Sequence, residues 1–385
     1  MGYLKIFSLN LIVLYFFLYI IEIFLNYKKD KLFLKTRLYY LNLFQKDKTN
    51  DKFYLNIGPY KFLDKKNKIL PLSGYEDSII FLCMNENNKP ITYLSDEYGF
   101  NNHNYHENND YLLIGDSYVQ GMCVDETHNL NSQFFKHSIK TKSIGISGNG
   151  PLLEYATYKE FESKINFQNI ILFITIENDY WDLNLEKKNK ILLNYFKYEN
   201  YNQNLISLEN KIYKKKILDD FFKNKTKRFL NDFLSVYHFN LKEIGNGIEN
   251  VFNKKSFKDL KYLEEESLDK LFFEILIKFK KNSEIKNKSF FVVFNSLNPD
   301  LIYPISQEEK NMNKILMEGK LKKMQLFLRK NEIKFFDFNE YLLKKFKSKK
   351  DLEKIFNIID GRWDHYTEYG YYELAKQIKI NLLKN

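Results

Sequence analysis

The sequence predicts an α/β fold built on a parallel sheet, and three observations predict it. Apolar runs of strand length alternate with stretches of helical periodicity. The runs end in Gly, Asn, Asp or Ser, and a long lysine-rich helical block interrupts the alternation before it resumes. The first half reads as a strand at 110–115, a helix at 129–137, a strand at 141–147, a helix at 152–164 and a strand at 169–176. The second half reads as a strand at 289–297, a helix at 308–331, a strand at 333–338 and a last helix at about 368–383. Strands joined through helices need crossover connections, which make them parallel neighbours. Between the halves, segments such as LDKLFFEILIKFKK place apolar residues at helical spacing, as a core stripe does, so 181–288 reads as a helical insertion packed over the sheet. Residues 28–110 form a polar connecting subdomain with short strands such as SIIFLCM at 78–84. The organisation is therefore 1–27, 28–110, 111–180, 181–288 and 289–385, with no internal repeat.

Composition sets the class. Hydrophobic residues make up 44% of the 385, enough for a large core. Sixty basic residues against 49 acidic ones give a net charge of +11 and a pI near 9.1. The basic residues are scattered among acids, as on solvated faces, and no nucleic-acid partner is expected. The stretch IFSLNLIVLYFFLYIIEIFLNY at 6–27 contains one charge, Glu22, placed where it can snorkel, and has the length of a bilayer-crossing helix. Asn26-Tyr27-Lys28-Lys29 follows instead of a small-residue cleavage site, so an uncleaved N-terminal transmembrane helix is predicted. Its orientation stays open: Lys28, Lys29, Lys31, Lys35 and Arg37 follow the span and only Lys5 precedes it, a bias toward a cytoplasmic body. Cys83 and Cys123 have neither metal nor redox spacing; one disulfide and two free thiols are both open.

Four segments carry candidate chemistry. In YLLIGDSYVQG, Ser117 follows an apolar strand and precedes a helix; it is either a presented nucleophile or a helix cap. In SIGISGNGPLLEY, Gly145, Gly148 and Gly150 leave backbone amides uncovered near the same sheet edge, at a spacing that does not fit a dinucleotide cofactor. ITIENDYWD brings Asn178, an amide donor or an ordinary turn residue. DGRWDHYTEYGYYELA puts His365 in a polar loop before the last helix. His103 and His106 in HNYH read as a turn rather than a metal site, and KNKTKRFLNDF at 223–233 reads as a solvated helix face. No cofactor or metal is expected.

Together these blocks resemble the SGNH, or GDSL-like, hydrolase family. Gly115-Asp116-Ser117, the ISGNG turn with Gly148, Glu177-Asn178-Asp179 and the run His365-Tyr366-Thr367 with Gly370 and Ala375 follow the family's order over 111–385. YLSDEYGFNN at 93–102 is similar to the segment preceding the core in membrane-anchored bacterial members. The resemblance implies a three-layer α/β/α sandwich with a parallel, flavodoxin-like sheet. It also implies a serine esterase in which Ser117 attacks and His365 moves the proton, with the N–H groups of Ser117 and Gly148 and the Asn178 side chain holding the oxyanion. One position departs from the family: the Asp that usually stands two or three residues before the histidine is replaced by Trp363 and Arg362. Asp360, preferred because Asp360-Gly361 can turn, and Asp364, which needs an unusual backbone, are the candidates. The implied substrate is an acylated, mainly O-acetylated, glycan of a bacterial envelope. The expected place is the inner membrane, crossed once at 6–27, with the body periplasmic or otherwise extracytoplasmic. An O-acetyltransferase on the same scaffold and a non-catalytic glycan-binding envelope protein are the alternatives.

Overall fold

A computed structural model of the protein describes residues 10, 13–21, 53–85, 89–102, 107–235, 266–296, 299, 309–359 and 362–383. The chain divides into two units, residues 52–219 with 262–385 and residues 1–51 with 220–261. All described strands belong to the first. In the second, residues 13–21 are helical. Among the described residues no helix is long and apolar enough to cross a membrane. This corrects the transmembrane helix expected over 6–27, of which 6–9, 11–12 and 22–27 lie outside the described residues.

The first unit opens with a small sheet. Strand β1 (Phe53–Leu55) runs parallel to β2 (Ile79–Met84), which pairs antiparallel with β3 (Pro90–Leu94). Cys83 on β2 is disulfide-bonded to Cys123, with 5.6 Å between their α-carbons. The chain then enters β4 (Asn109–Ile114), the one-turn helix α1 (Ser117–Gln120), α2 (Leu130–Lys136), β5 (Thr141–Ser143), α3 (Pro151–Phe161), β6 (Phe167–Ile174) and α4 (Ile176–Glu186). Helices α5 (Lys190–Lys197), α6 (Leu208–Ser235) and α7 (Glu266–Ile285) follow, then β7 (Phe290–Phe294), α8 (Glu309–Lys330), β8 (Lys334–Asp337) and α9 (Phe338–Lys345). The chain closes with β9 (Phe356–Ile359), β10 (Arg362–Tyr366) and α10 (Glu368–Asn381).

Five of these strands form one sheet in the order β5-β4-β6-β7-β8, parallel throughout. Counted along the sheet's own strands this is 2-1-3-4-5, the doubly wound order of flavodoxin type. The step from β4 to β5 runs one way across the sheet and all later steps run the other. Right-handed crossovers therefore place α2 on one face and α3, α7 and α8 on the opposite face. The packing agrees, since α2 meets α10, whereas α3 meets α4, α5 and α7. Strands covered on both faces read as unbroken apolar runs, and Leu112 to Ile114, Ile170 to Ile174 and Phe290 to Phe294 are all buried. On α7, Leu268, Phe272, Ile275, Leu276 and Phe279 are buried at the helical spacing expected of a core stripe.

The segment YLSDEYGFNN docks on the sheet edge. Asp96 accepts from the N–H groups of Tyr98 at 3.0 Å and Phe100 at 2.9 Å, and pairs with buried Lys142 of β5 at 2.8 Å. The Asn102 side chain accepts from the Ser143 N–H at 2.8 Å and donates to the Ser143 carbonyl at 2.9 Å, much as one more strand residue would. These bonds give the polar residues of the segment their partners.

Candidate active site

Ser117 leaves the C-terminal end of β4 beside the switch point between β4 and β6, where the strand order reverses and open α/β sheets gather their ligands. Gly115 is required just before it: a Cβ there would press into Val119 at 2.5 Å. The helix cap is not Ser117 but Asp116, whose carboxylate accepts from the Tyr118 N–H at 2.9 Å. Ser117 is thus the first residue of α1, and its N–H has no intrahelical acceptor. Its hydroxyl lies 2.7 Å from Nε2 of His365.

His365 does not occupy a loop, as its polar surroundings in the sequence suggested. It sits on β10, antiparallel to β9 in a separate two-stranded sheet. Trp363 pairs with Ile358 and Tyr366 with Phe356, so Asp364 and His365 together face the single residue Asn357. This is a β-bulge, which re-aims side chains that would otherwise alternate between faces. Through it Asp364, the residue next to His365, reaches Nδ1 at 2.7 Å. Asp360 and Gly361 lie outside the described residues.

The two ring bonds fix the tautomer. Burial pushes the Asp364 carboxyl up, but hydrogen bonding from the His365 side chain, its charge and the His365 backbone N–H outweigh burial and hold it below the ordinary carboxylate range. An ionised carboxylate can only accept. Nδ1–H therefore donates to Asp364, and Nε2 is left to accept the Ser117 proton. The ring also lies against Tyr118, with centroids 4.8 Å apart, and the Asp364 and His365 side chains are 30% and 20% exposed, open enough for a ligand to reach.

Gly148 and Asn178, the other expected oxyanion donors, follow β5 and β6. Gly148 has φ +77°, a conformation that favours glycine, and a Cβ there would run into the Tyr60 ring. Asn178 lies in the first turn of α4 and donates one amide N–H to Asp116 at 2.8 Å, leaving its second. Asp116 is buried; burial raises its pKa above the ordinary value despite the Asn178 and Tyr118 hydrogen bonds and the nearby His365. Sequence reasoning singled out Asn178 but not this Asp116 partner. It also gave Tyr366 a place in the motif run but no structural role; its hydroxyl accepts from the Ser296 N–H at 2.8 Å and ties β10 to the end of β7. The Asp-Gly pair between IFNII and RWDHY was a hairpin signal that could have found β9 and β10.

No protein-family model matches the chain, and comparison with curated proteins gives no match. Solved structures do resemble it. A G-D-S-L family protein from Desulfitobacterium hafniense DCB-2 is 9% identical, covering 70% of this chain and 97% of its own, with a TM-score of 0.36. An alpha/beta hydrolase enzyme from the metagenome of Lake Arreo, Spain, is 12% identical, covering 72% and 95%, with a TM-score of 0.32. AlinE4, an SGNH-hydrolase family esterase, is 12% identical, covering 73% and 97%, with a TM-score of 0.30. Likeness at this level carries no argument about activity, which has to come from the site itself.

Proposed function

We propose that the protein is a serine esterase of SGNH type that removes O-acyl groups, acetyl above all, from a glycan. The observation that carries this reading is the line from Asp364 through His365 to Ser117, with 2.7 Å at each step. Ser117 Oγ attacks the acyl carbonyl carbon while its proton passes to Nε2. The oxyanion is held by the N–H groups of Ser117 and Gly148 and by the free N–H of Asn178. Collapse returns the proton from Nε2 to the leaving alcohol, and water then frees the acyl group by the same route. Asp364 stabilises the imidazolium that forms in each half. The lack of an acid at positions 362 and 363 was the motive for a non-catalytic reading, and Asp364 supplies a carboxylate at His365. The glycan preference rests on the resemblance in the sequence. The Cys83–Cys123 disulfide supports an oxidising, extracytoplasmic compartment for the protein.

The test is hydrolysis of p-nitrophenyl acetate by the full chain. Ser117→Ala should lower kcat by roughly 10³-fold or more. Equal rates in mutant and parent would refute the assignment.

A further inference from the structure

Three residues after Ser117, the buried side chain of Gln120 uses its whole amide. Its oxygen accepts from the Ser147 backbone N–H at 2.9 Å and from Asn56 Nδ2 at 3.1 Å; its nitrogen donates to Asn56 Oδ1 at 2.8 Å and to the Tyr93 hydroxyl at 3.3 Å. Four bonds are the capacity of a primary amide. The backbone carbonyl of Gln120 also accepts from Asn101 Nδ2 at 2.8 Å. These side-chain partners come from the small N-terminal sheet (Tyr93), the residue that follows its first strand (Asn56) and the segment after the sheet (Asn101). The same region presses on the glycine turn directly: a Cβ on Gly58 would collide with the Ser147 carbonyl, and one on Gly148 with the Tyr60 ring.

Resting on the esterase reading above, we propose that Gln120 is a positioning residue: braced by Asn56 and Tyr93, it holds the Ser147 N–H and so aims the next N–H in the chain, that of Gly148, at the oxyanion. The nucleophile and the donor turn follow different strands, β4 and β5, and a bond from α1 to the turn fixes one relative to the other. A donor must stand within a few tenths of an ångström of the developing charge to act, so a turn free to shift loses much of its effect while substrate still binds. The N-terminal sheet is on this view a working part of the site, because Asn56 and Tyr93 hold the Gln120 amide in place while the Ser147 N–H, which can only donate, keeps its oxygen toward the turn.

The experiment measures p-nitrophenyl acetate hydrolysis by the full chain, with kcat expressed per serine titrated by a fluorophosphonate. Gln120→Met keeps length and volume but offers Ser147 no oxygen; its kcat per titrated site should fall about tenfold or more with KM unchanged. Gln120→Glu, which keeps an oxygen for that N–H, should recover most of the loss. A purely structural role would lower the titrated fraction or the melting temperature and leave kcat per site unmoved. Should Gln120→Met fail to fold, half-buried Asn56→Ala takes its place, expected to lower kcat about two- to fivefold at constant KM. Parental kcat per site in Gln120→Met, or in Asn56→Ala where Gln120→Met does not fold, overturns the inference while the esterase reading stands. A parent that neither hydrolyses the ester nor takes the probe overturns both.

Discussion

Ser117 and His365 meet at 2.7 Å, yet the segments that carry them are built differently. Ser117 follows the second strand of a five-stranded sheet, among the buried neighbours Asp116, Val119 and Gln120, and its helix is bonded to the N-terminal sheet, to the glycine turn and to Asn178. His365 rides on a two-stranded hairpin apart from that sheet, aimed by a bulge, closed on itself by the bond from Asn357 Nδ2 to the Tyr366 carbonyl at 3.0 Å and fastened through Tyr366 to Ser296. The nucleophile is thus part of the core, and the base is on an arm. Damage to the partly exposed Asp364–His365 pair should cost rate before it costs stability, damage to the buried Tyr366 anchor should cost stability, and damage around the serine should cost both.

The largest effect expected from the arm is at Asp364. Asp364→Asn can no longer hold Nδ1–H as a charged acceptor, and kcat should fall roughly 10²- to 10⁴-fold. The side chain is partly exposed, so urea denaturation should change by less than about 1 kcal/mol. A large loss of stability would erase the distinction between core and arm. Tyr366→Phe comes next. It leaves the Ser296 N–H without that acceptor in a buried setting, and should cost about 1–3 kcal/mol in urea melts. An unchanged melt would mean that the hairpin is fastened elsewhere.

The remaining effect concerns the core side and depends on pH. Glu186 of α4 accepts from the Gly150 and Leu152 N–H groups at 2.7 and 2.9 Å and so closes the start of α3. Burial, with Asp182 nearby, pushes its carboxyl up to about 8. An unfolded glutamate loses its proton near pH 4.3, so between these values the folded state holds the extra proton. The associated stability is complete below about pH 4 and is lost as pH rises toward 8. Glu186→Gln should therefore flatten the fall in stability between pH 5 and 9, read from melts at several pH values. Parallel curves for mutant and parent would contradict it.

The main sheet was legible because its strands are buried on both faces: ILFI and FFVVF can hardly be anything but buried apolar segments, and Asn129, Pro151 and Thr367 mark helix starts. Strand ends then placed Ser117, Gly148 and Asn178 at one rim. What local pattern could not supply was the register within the arm. FNII and RWDHY are short and mixed, and a bulge is a property of pairing between strands, invisible along one of them. For the same reason the closeness of Asp364 to His365 was open: adjacent strand residues point apart unless the partner strand skips a position. Gln120 escaped notice because its partners lie 27 and 64 residues away. The transmembrane expectation was corrected because no helix among the described residues is long and apolar enough to cross a membrane.

The most direct test of the central claim is mass spectrometry of the intact chain after exposure to a fluorophosphonate. The account predicts one adduct, mapped to Ser117, absent in Ser117→Ala and formed far more slowly in His365→Ala. A chain that takes no adduct, or one that labels equally well in both variants, would contradict it.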